Sequence, residues 1–193
     1  MISRLALILF VVSLVGGCKN PSAEIPQYGD TGSFALTDQN GAALGSAELR
    51  GKVWIAAFMF TRCPTVCPLI TARMKGIQDQ AKARGIDVRL VSISVDPEND
   101  TPQVLRAYAD KHGADPASWS FLTGDPTVIK RTSEQGFKSA LEGKADANAA
   151  DFGILHGSHL ILVDRDLKIR GYYRTSDDSE TTKLLEDAAR LGR

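Results

Sequence analysis

The stretch Val53-Trp54-Ile55-Ala56-Ala57-Phe58-Met59-Phe60-Thr61-Arg62-Cys63-Pro64-Thr65-Val66-Cys67-Pro68 decides how the rest of this 193-residue chain is read. Its first half is an unbroken apolar run, the pattern of a central strand covered on both faces. Its second half puts two thiols where the chain leaves that strand and turns into a helix. A helix N-terminus favours negative charge, so thiols placed there become thiolates more readily. Two thiolates four positions apart close on each other as a disulfide, or close together on one soft metal ion. Pro68 suits a first helical position, where its missing N–H costs nothing. The spacing then predicts a helix with Ile70, Met74, Ile77 and Ala81 on one face and Gly85 as its stop.

Working outward, residues 88–95 predict a second strand, closed by Asp96-Pro97. Thr101-Pro102 opens a helix with Val104, Leu105 and Tyr108 on one face and Gly113 at its end. A short strand at 119–122 and a helix from Asp125-Pro126 to near Gly136 follow. Residues 143–151 form a polar, small-residue loop. Two strands at 160–163 and 168–173 are joined by Asp164-Arg165-Asp166-Leu167. An amphipathic helix over 179–191 turns Leu184, Leu185, Ala188 and Leu191 inward. Upstream, residues 34–36 lead into a hairpin turn at 38–41. Early βαβ units with a late antiparallel hairpin imply an α/β fold, a mixed sheet with helices on both faces. A thiol pair at the first strand-to-helix junction fits a thioredoxin-like layout.

Charge excludes one class of function. The chain carries 23 basic and 23 acidic residues with no basic stretch, so nothing favours nucleic acid. The N-terminus carries an address. Met1-Ile2-Ser3-Arg4 is charged, residues 5–15 are apolar, and Gly16-Gly17-Cys18 follows. Those are the parts of a secretory signal, too short to span a bilayer comfortably. A Cys after Gly-Gly resembles a bacterial lipoprotein signal, cut before Cys18, which then carries lipid. The expected organisation is a signal over 1–17, a Pro-, Ser- and Gly-rich tether over 18–32 and one domain over 33–193. The expected location is extracytoplasmic, on the periplasmic side of a bacterial membrane and anchored by lipid. With Cys18 lipidated, Cys63 and Cys67 remain as a closed pair among three cysteines. Disulfides persist outside the cytoplasm, so a working dithiol there needs a reducing partner or a bound metal.

An inert disulfide between Cys63 and Cys67 would close a very short loop and stabilise little. Each Cys is followed by Pro, which stiffens the loop that presents it. The usual exchange motif has two residues between its thiols; here there are three. Thioredoxin-like exchangers carry a proline opposite the dithiol, before a late strand. The corresponding stretch here is Leu155-His156-Gly157-Ser158-His159, with no proline and two histidines, which shifts weight from exchange to metal. Two thiolates and one imidazole suit copper. Zinc normally takes four ligands and stays open if an Asp or a second His completes the set. His156 lies in the loop before the late strand and His159 at its edge. His112, in the last turn of a helix, is expected to interact with the helix dipole.

Residues 60–68 resemble the signature of the Sco/SenC copper chaperones. So does Val95-Asp96-Pro97-Glu98-Asn99-Asp100-Thr101-Pro102, and so does a late His ahead of an apolar strand. The resemblance covers about residues 29–193. It implies that Cys63, Cys67 and His156 bind one copper, as Cu(I) or Cu(II), with Asp96 close behind the metal. It implies delivery to the dinuclear copper site of cytochrome c oxidase. Asn99 and Gly157 depart from the family pattern, and His159 offers a ligand swap. The alternative is a thiol-disulfide reductase that keeps an oxidase's copper-ligating cysteines reduced, with Cys63 and Cys67 as a redox-active disulfide served by a thiol reductase partner.

Overall fold

The computed structural model describes residues 24–139 and 159–193. The expected signal over 1–17, Cys18, the expected loop over 143–151 and His156 lie outside the described residues. No described helix is long and apolar enough to cross a membrane.

The apolar run forms strand β4 (Trp54–Met59), buried at every position. Such a strand needs neighbours on both edges and cover on both faces. Its parallel neighbour is β5 (Arg89–Ser94) and its antiparallel neighbour is β7 (His159–Val163). Beyond β5 lie β6 (Trp119–Thr123), β2 (Ala35–Asp38) and β3 (Ala43–Gly45); beyond β7 lie β8 (Lys168–Arg174) and β1 (Gly29–Asp30). The described strands form one mixed sheet in the order β1-β8-β7-β4-β5-β6-β2-β3.

Side-chain alternation along β4 sends residues to two cores. Ile55 and Ala57 meet α2 (Val66–Arg84), α3 (Pro102–Lys111) and α5 (Asp178–Leu191), through Ile70, Met74, Ile77, Leu105, Leu184 and Leu185. Trp54, Ala56 and Phe58 meet α1 (Ser46–Leu49) and α4 (Pro126–Arg131) on the other face, through Leu49 and Ile129. Each large apolar side chain so buried stabilises by roughly 1.5–3 kcal/mol. The expected mixed sheet with helices on both faces is the observed architecture.

Three local expectations are corrected. Helix α2 starts at Val66, so Cys67 and Pro68 both lie inside its first turn. Pro68 is tolerated there because the first four N–H groups of a helix have no intrahelical acceptor. Val104 is 38% exposed, and the inward stripe of α3 runs through Leu105 and Ala109 instead. Residues 24–32, grouped by composition with the tether, are drawn onto the domain. Gly29–Asp30 pairs with β8, whose open edge offers unpaired backbone groups. Ile25 is buried, and Arg170 donates to the carbonyls of Ile25 and Pro26.

The N-terminal segment also docks on the turn of π-helix that follows α4 (Thr132–Gly136). A Cβ built on Gly136 would lie 2.2 Å from the Thr31 carbonyl oxygen, so only glycine lets the two backbones approach. Gly136→Ala is expected to destabilise the domain by about 1–3 kcal/mol, as overpacking against backbone does. Thermal or urea denaturation checks this, and an unchanged midpoint would contradict the close docking.

Candidate functional site: the cysteine loop

Strand β4 ends at Met59 in the middle of the sheet, so the chain must leave through a loop before α2 can cover the face. Phe60 continues the apolar run and is buried. Thr61 is half-buried and Arg62 turns outward, and the Cys63 N–H closes the turn on the Phe60 carbonyl at 3.3 Å. Cys63 and Cys67 are free thiols, 4% and 1% exposed, packed against Met59 and Phe60 under Val66, Val95 and Tyr108.

The Cys63 sulfur takes over part of the capping of α2. Thr65, at the N-cap, makes no side-chain cap bond, while the Cys67 N–H donates to Cys63 Sγ at 3.4 Å. The two thiols are held in different electrostatic states. Burial pushes the Cys63 thiol up, but bonds from the backbone N–H groups of Cys67, Thr65 and Val66 and from the Cys67 thiol outweigh it. The result lies below the ordinary thiol value. Burial pushes the Cys67 thiol well above the ordinary range, only partly opposed by a bond with the Phe60 backbone. Deeper in, the Thr71 hydroxyl donates to the Cys67 carbonyl at 2.8 Å. Its single proton being so used, Tyr108 donates to Thr71 Oγ1, also at 2.8 Å.

The second wall of the site is the loop between β5 and α3. Asp96 is 6% exposed and accepts from Arg62 Nε at 3.2 Å, Arg62 Nη2 at 2.9 Å and Asn99 Nδ2 at 2.8 Å. Asp100 is fully buried. It accepts the Thr61 N–H at 3.0 Å and bonds the hydroxyls of Thr61 and Ser94. Ser94 Oγ accepts the Asp96 N–H at 3.1 Å, which leaves its proton for Asp100.

The structure therefore brings Cys63, Cys67 and Asp96 to the same end of the sheet, with Asp96 acting through Arg62 beside Cys63. His159 opens β7 opposite Arg174 of β8. Strand alternation puts it on the face of Ile161 and Val163, the α1 and α4 side, across the sheet from α2. His112 is the C-cap residue of α3, at the helix end expected for it. Its ring lies 4.4 Å from that of Tyr108, and burial followed by Lys111 lowers its pKa, which disfavours the charged form. Among the described residues no three His, Cys, Asp or Glu side chains gather as a metal cluster. Thr61, Thr71, Ser94, Asp100 and Tyr108 were not readable as site residues. Asp100 stood inside the quoted Asp-Pro segment, but nothing in one sequence says which of two aspartates turns toward the thiols.

The family model described as SCO1/SenC matches residues 23–191, with the thiol loop and the Asp-Pro loop inside the match. The chain belongs to the SCO1/SenC family. Three solved members show how much of the SCO1/SenC architecture it shares. A SCO1/SenC family lipoprotein from Bacillus anthracis is 35% identical with a TM-score of 0.77, over 86% of this chain and 96% of that one. BsSco, a member of the Sco family of cytochrome c oxidase assembly proteins with a disulfide switch, is 31% identical with a TM-score of 0.73, over 84% and 95%. Bradyrhizobium japonicum ScoI with copper bound is 30% identical with a TM-score of 0.64, over 83% and 98%. The fold is the thioredoxin-like one of the SCO1/SenC family.

The unequal thiols have a measurable consequence. A lowered thiol pKa puts more thiolate at pH values below the ordinary one, and the thiolate is what alkylates. In the reduced protein Cys63 is expected to react with iodoacetamide before Cys67, starting at lower pH. The Cys63→Ser variant should leave a thiol that resists modification. Peptide mapping of the alkylated positions over a pH series checks the order, and equal rates would contradict it.

Proposed function

We propose that this protein binds one copper ion through Cys63, Cys67 and His156 and passes it to the dinuclear copper site of cytochrome c oxidase. The observation that carries the reading is the unbridged thiol pair at the head of α2, held ready by its own helix and by two loops. Soft thiolates select copper, and a low-coordinate site lets an acceptor's ligands attach before the donor's let go. The copper-bound relative and the oxidase assembly relative support the cargo and the destination.

For the third ligand, the sheet register supports the loop before β7. Ile55 pairs with Leu162 and Ala56 with Ile161, so β7 begins at the sheet end where β4 departs toward Cys63. His156 is three positions upstream of His159, within about 10 Å of extended chain. The orientation of His159 across the sheet from α2 favours His156 over it. An acceptor carrying copper on thiols would meet the site outside the cytoplasm, in keeping with a lipid anchor at Cys18 and attachment to a bacterial membrane.

One observation favours the second reading, a thiol-disulfide reductase. A lowered Cys63 and a raised Cys67 suit an attacking and a resolving thiol. Cys63 thiolate would attack a partner disulfide and release one partner thiolate. Cys67 would then displace the other, leaving Cys63–Cys67 oxidised and the partner a dithiol. A thiol reductant would restore the pair.

Copper stoichiometry on the reduced fragment 19–193 separates these readings. One tightly held copper is expected in the parent and in His159→Ala, and a loss in His156→Ala. Loss in His159→Ala alone would move the third ligand. No copper in the parent, with a reactive dithiol, would leave exchange as the function.

A further inference from the structure

We infer that Asp100 is a positioning residue for the thiol pair, setting where Cys63 stands relative to Cys67; this rests on the proposed use of that pair as a copper site. The carboxylate is fully buried, yet it sits on neither cysteine-bearing element. It belongs to the loop that enters α3 and reaches across to Thr61, two residues before Cys63. Both Thr61 donors, the N–H and the hydroxyl, are spent on it, and the Ser94 hydroxyl closes the third bond from the end of β5.

The arrangement gives the loop little freedom. Cys67 is fixed from below by Thr71 of α2, which is held in turn by Tyr108 of α3. Cys63 is not in the helix; its backbone is fixed by the Phe60 carbonyl and by what holds Thr61. Arg62 lies between, and its bonds to Asp96 are partly in solvent, since Arg62 is 40% exposed. Water competes for the exposed guanidinium, so this pair holds the loop less firmly than bonds closed to solvent. The buried Asp100 contacts are the stiffer hold, because a buried polar group has no water to turn to when a partner moves away. Asp100→Asn keeps the shape but removes the charge and turns one acceptor into a donor, so the Thr61 hydroxyl must accept where it now donates and the remaining bonds lose their charge assistance. The hold on Thr61, and through it on Cys63, is weaker.

The test uses the soluble protein from residue 19 with Asp100→Asn, Thr61→Val and Ser94→Ala. Thr61→Val and Ser94→Ala each remove one hydroxyl and keep the carboxylate, so they stand in if Asp100→Asn does not fold. Tyr173→Phe is the control for stability alone, since it breaks a buried bond to Asp187 on β8 and α5. Two readouts are taken. The first is the Cu(II) complex: its sulfur-to-copper charge-transfer band, its electron paramagnetic resonance spectrum and its affinity. The second is metal-free, the equilibrium constant of the Cys63–Cys67 disulfide with glutathione. In Asp100→Asn the copper spectrum is expected to shift, the affinity to fall at least about tenfold, and the glutathione constant to change at least about fivefold, as a displaced supporting residue does. The hydroxyl variants should move both readouts in the same direction by less, and Tyr173→Phe should lower the melting temperature and move neither. Parent-like spectra, affinity and glutathione constant in all the folded variants would overturn the positioning role while leaving the copper reading intact. A parent that binds no copper, with a glutathione constant that still shifts in the variants, would overturn the copper reading and keep Asp100 as the positioning residue of a thiol pair.

Discussion

Burial of β4 on both faces is the constraint from which the rest of the molecule follows. A strand with no wet face cannot end in the core without leaving backbone groups unpaired, so it must run to the edge that the strand ends form and turn there. The turn brings Cys63 and Cys67 to that edge. The need to cover Ile55 and Ala57 then sends α2 back down the face, with Cys67 in its first turn. The thiols are therefore placed by the core and not by local chain preference.

The parallel neighbour supplies the other half of the site by the same logic. β5 ends at the same edge as β4, and its exit loop lies beside the cysteine loop because the two strands pair in register up to Met59 and Ser94. Asp96 and Asp100 face the turn that carries Cys63 for that reason. One ties down Arg62 and the other ties down Thr61. The two thiols then differ because Cys63 lies off the helix end, where N–H groups converge on its sulfur, and Cys67 lies under it.

Much of this was legible in one chain, for identifiable reasons. The unbroken run at 53–60 has no polar residue that a wet face would require, so the central strand and its cover could be read directly. The helical repeat of Ile70, Met74, Ile77 and Ala81 specified the face of α2, and the positive φ at Gly85 ends it as expected. The start of α2 was misread by two residues because Pro68 is equally acceptable anywhere in a first turn. Val104 departs from the expected stripe because apolar character alone does not fix which side of a first turn meets the core; Leu105 and Ala109 carry the buried stripe of α3. Residues 24–32 looked like a tether because polar and small residues also serve as an edge strand.

The thiol spacing, the α/β order and the apolar periodicities are properties of the sequence by itself, since each depends on residues close together in the chain. Which aspartate braces which part of the loop, and how deeply Cys67 is buried, were decided only by the tertiary structure. Asp100 and Thr61 are 39 positions apart and meet because β4 and β5 lie side by side. The face on which His159 lies depends in turn on the register of β7 against β4. Contacts between strands distant in the chain have no local pattern to announce them; they exist only once the sheet has formed and water has been excluded from between its loops.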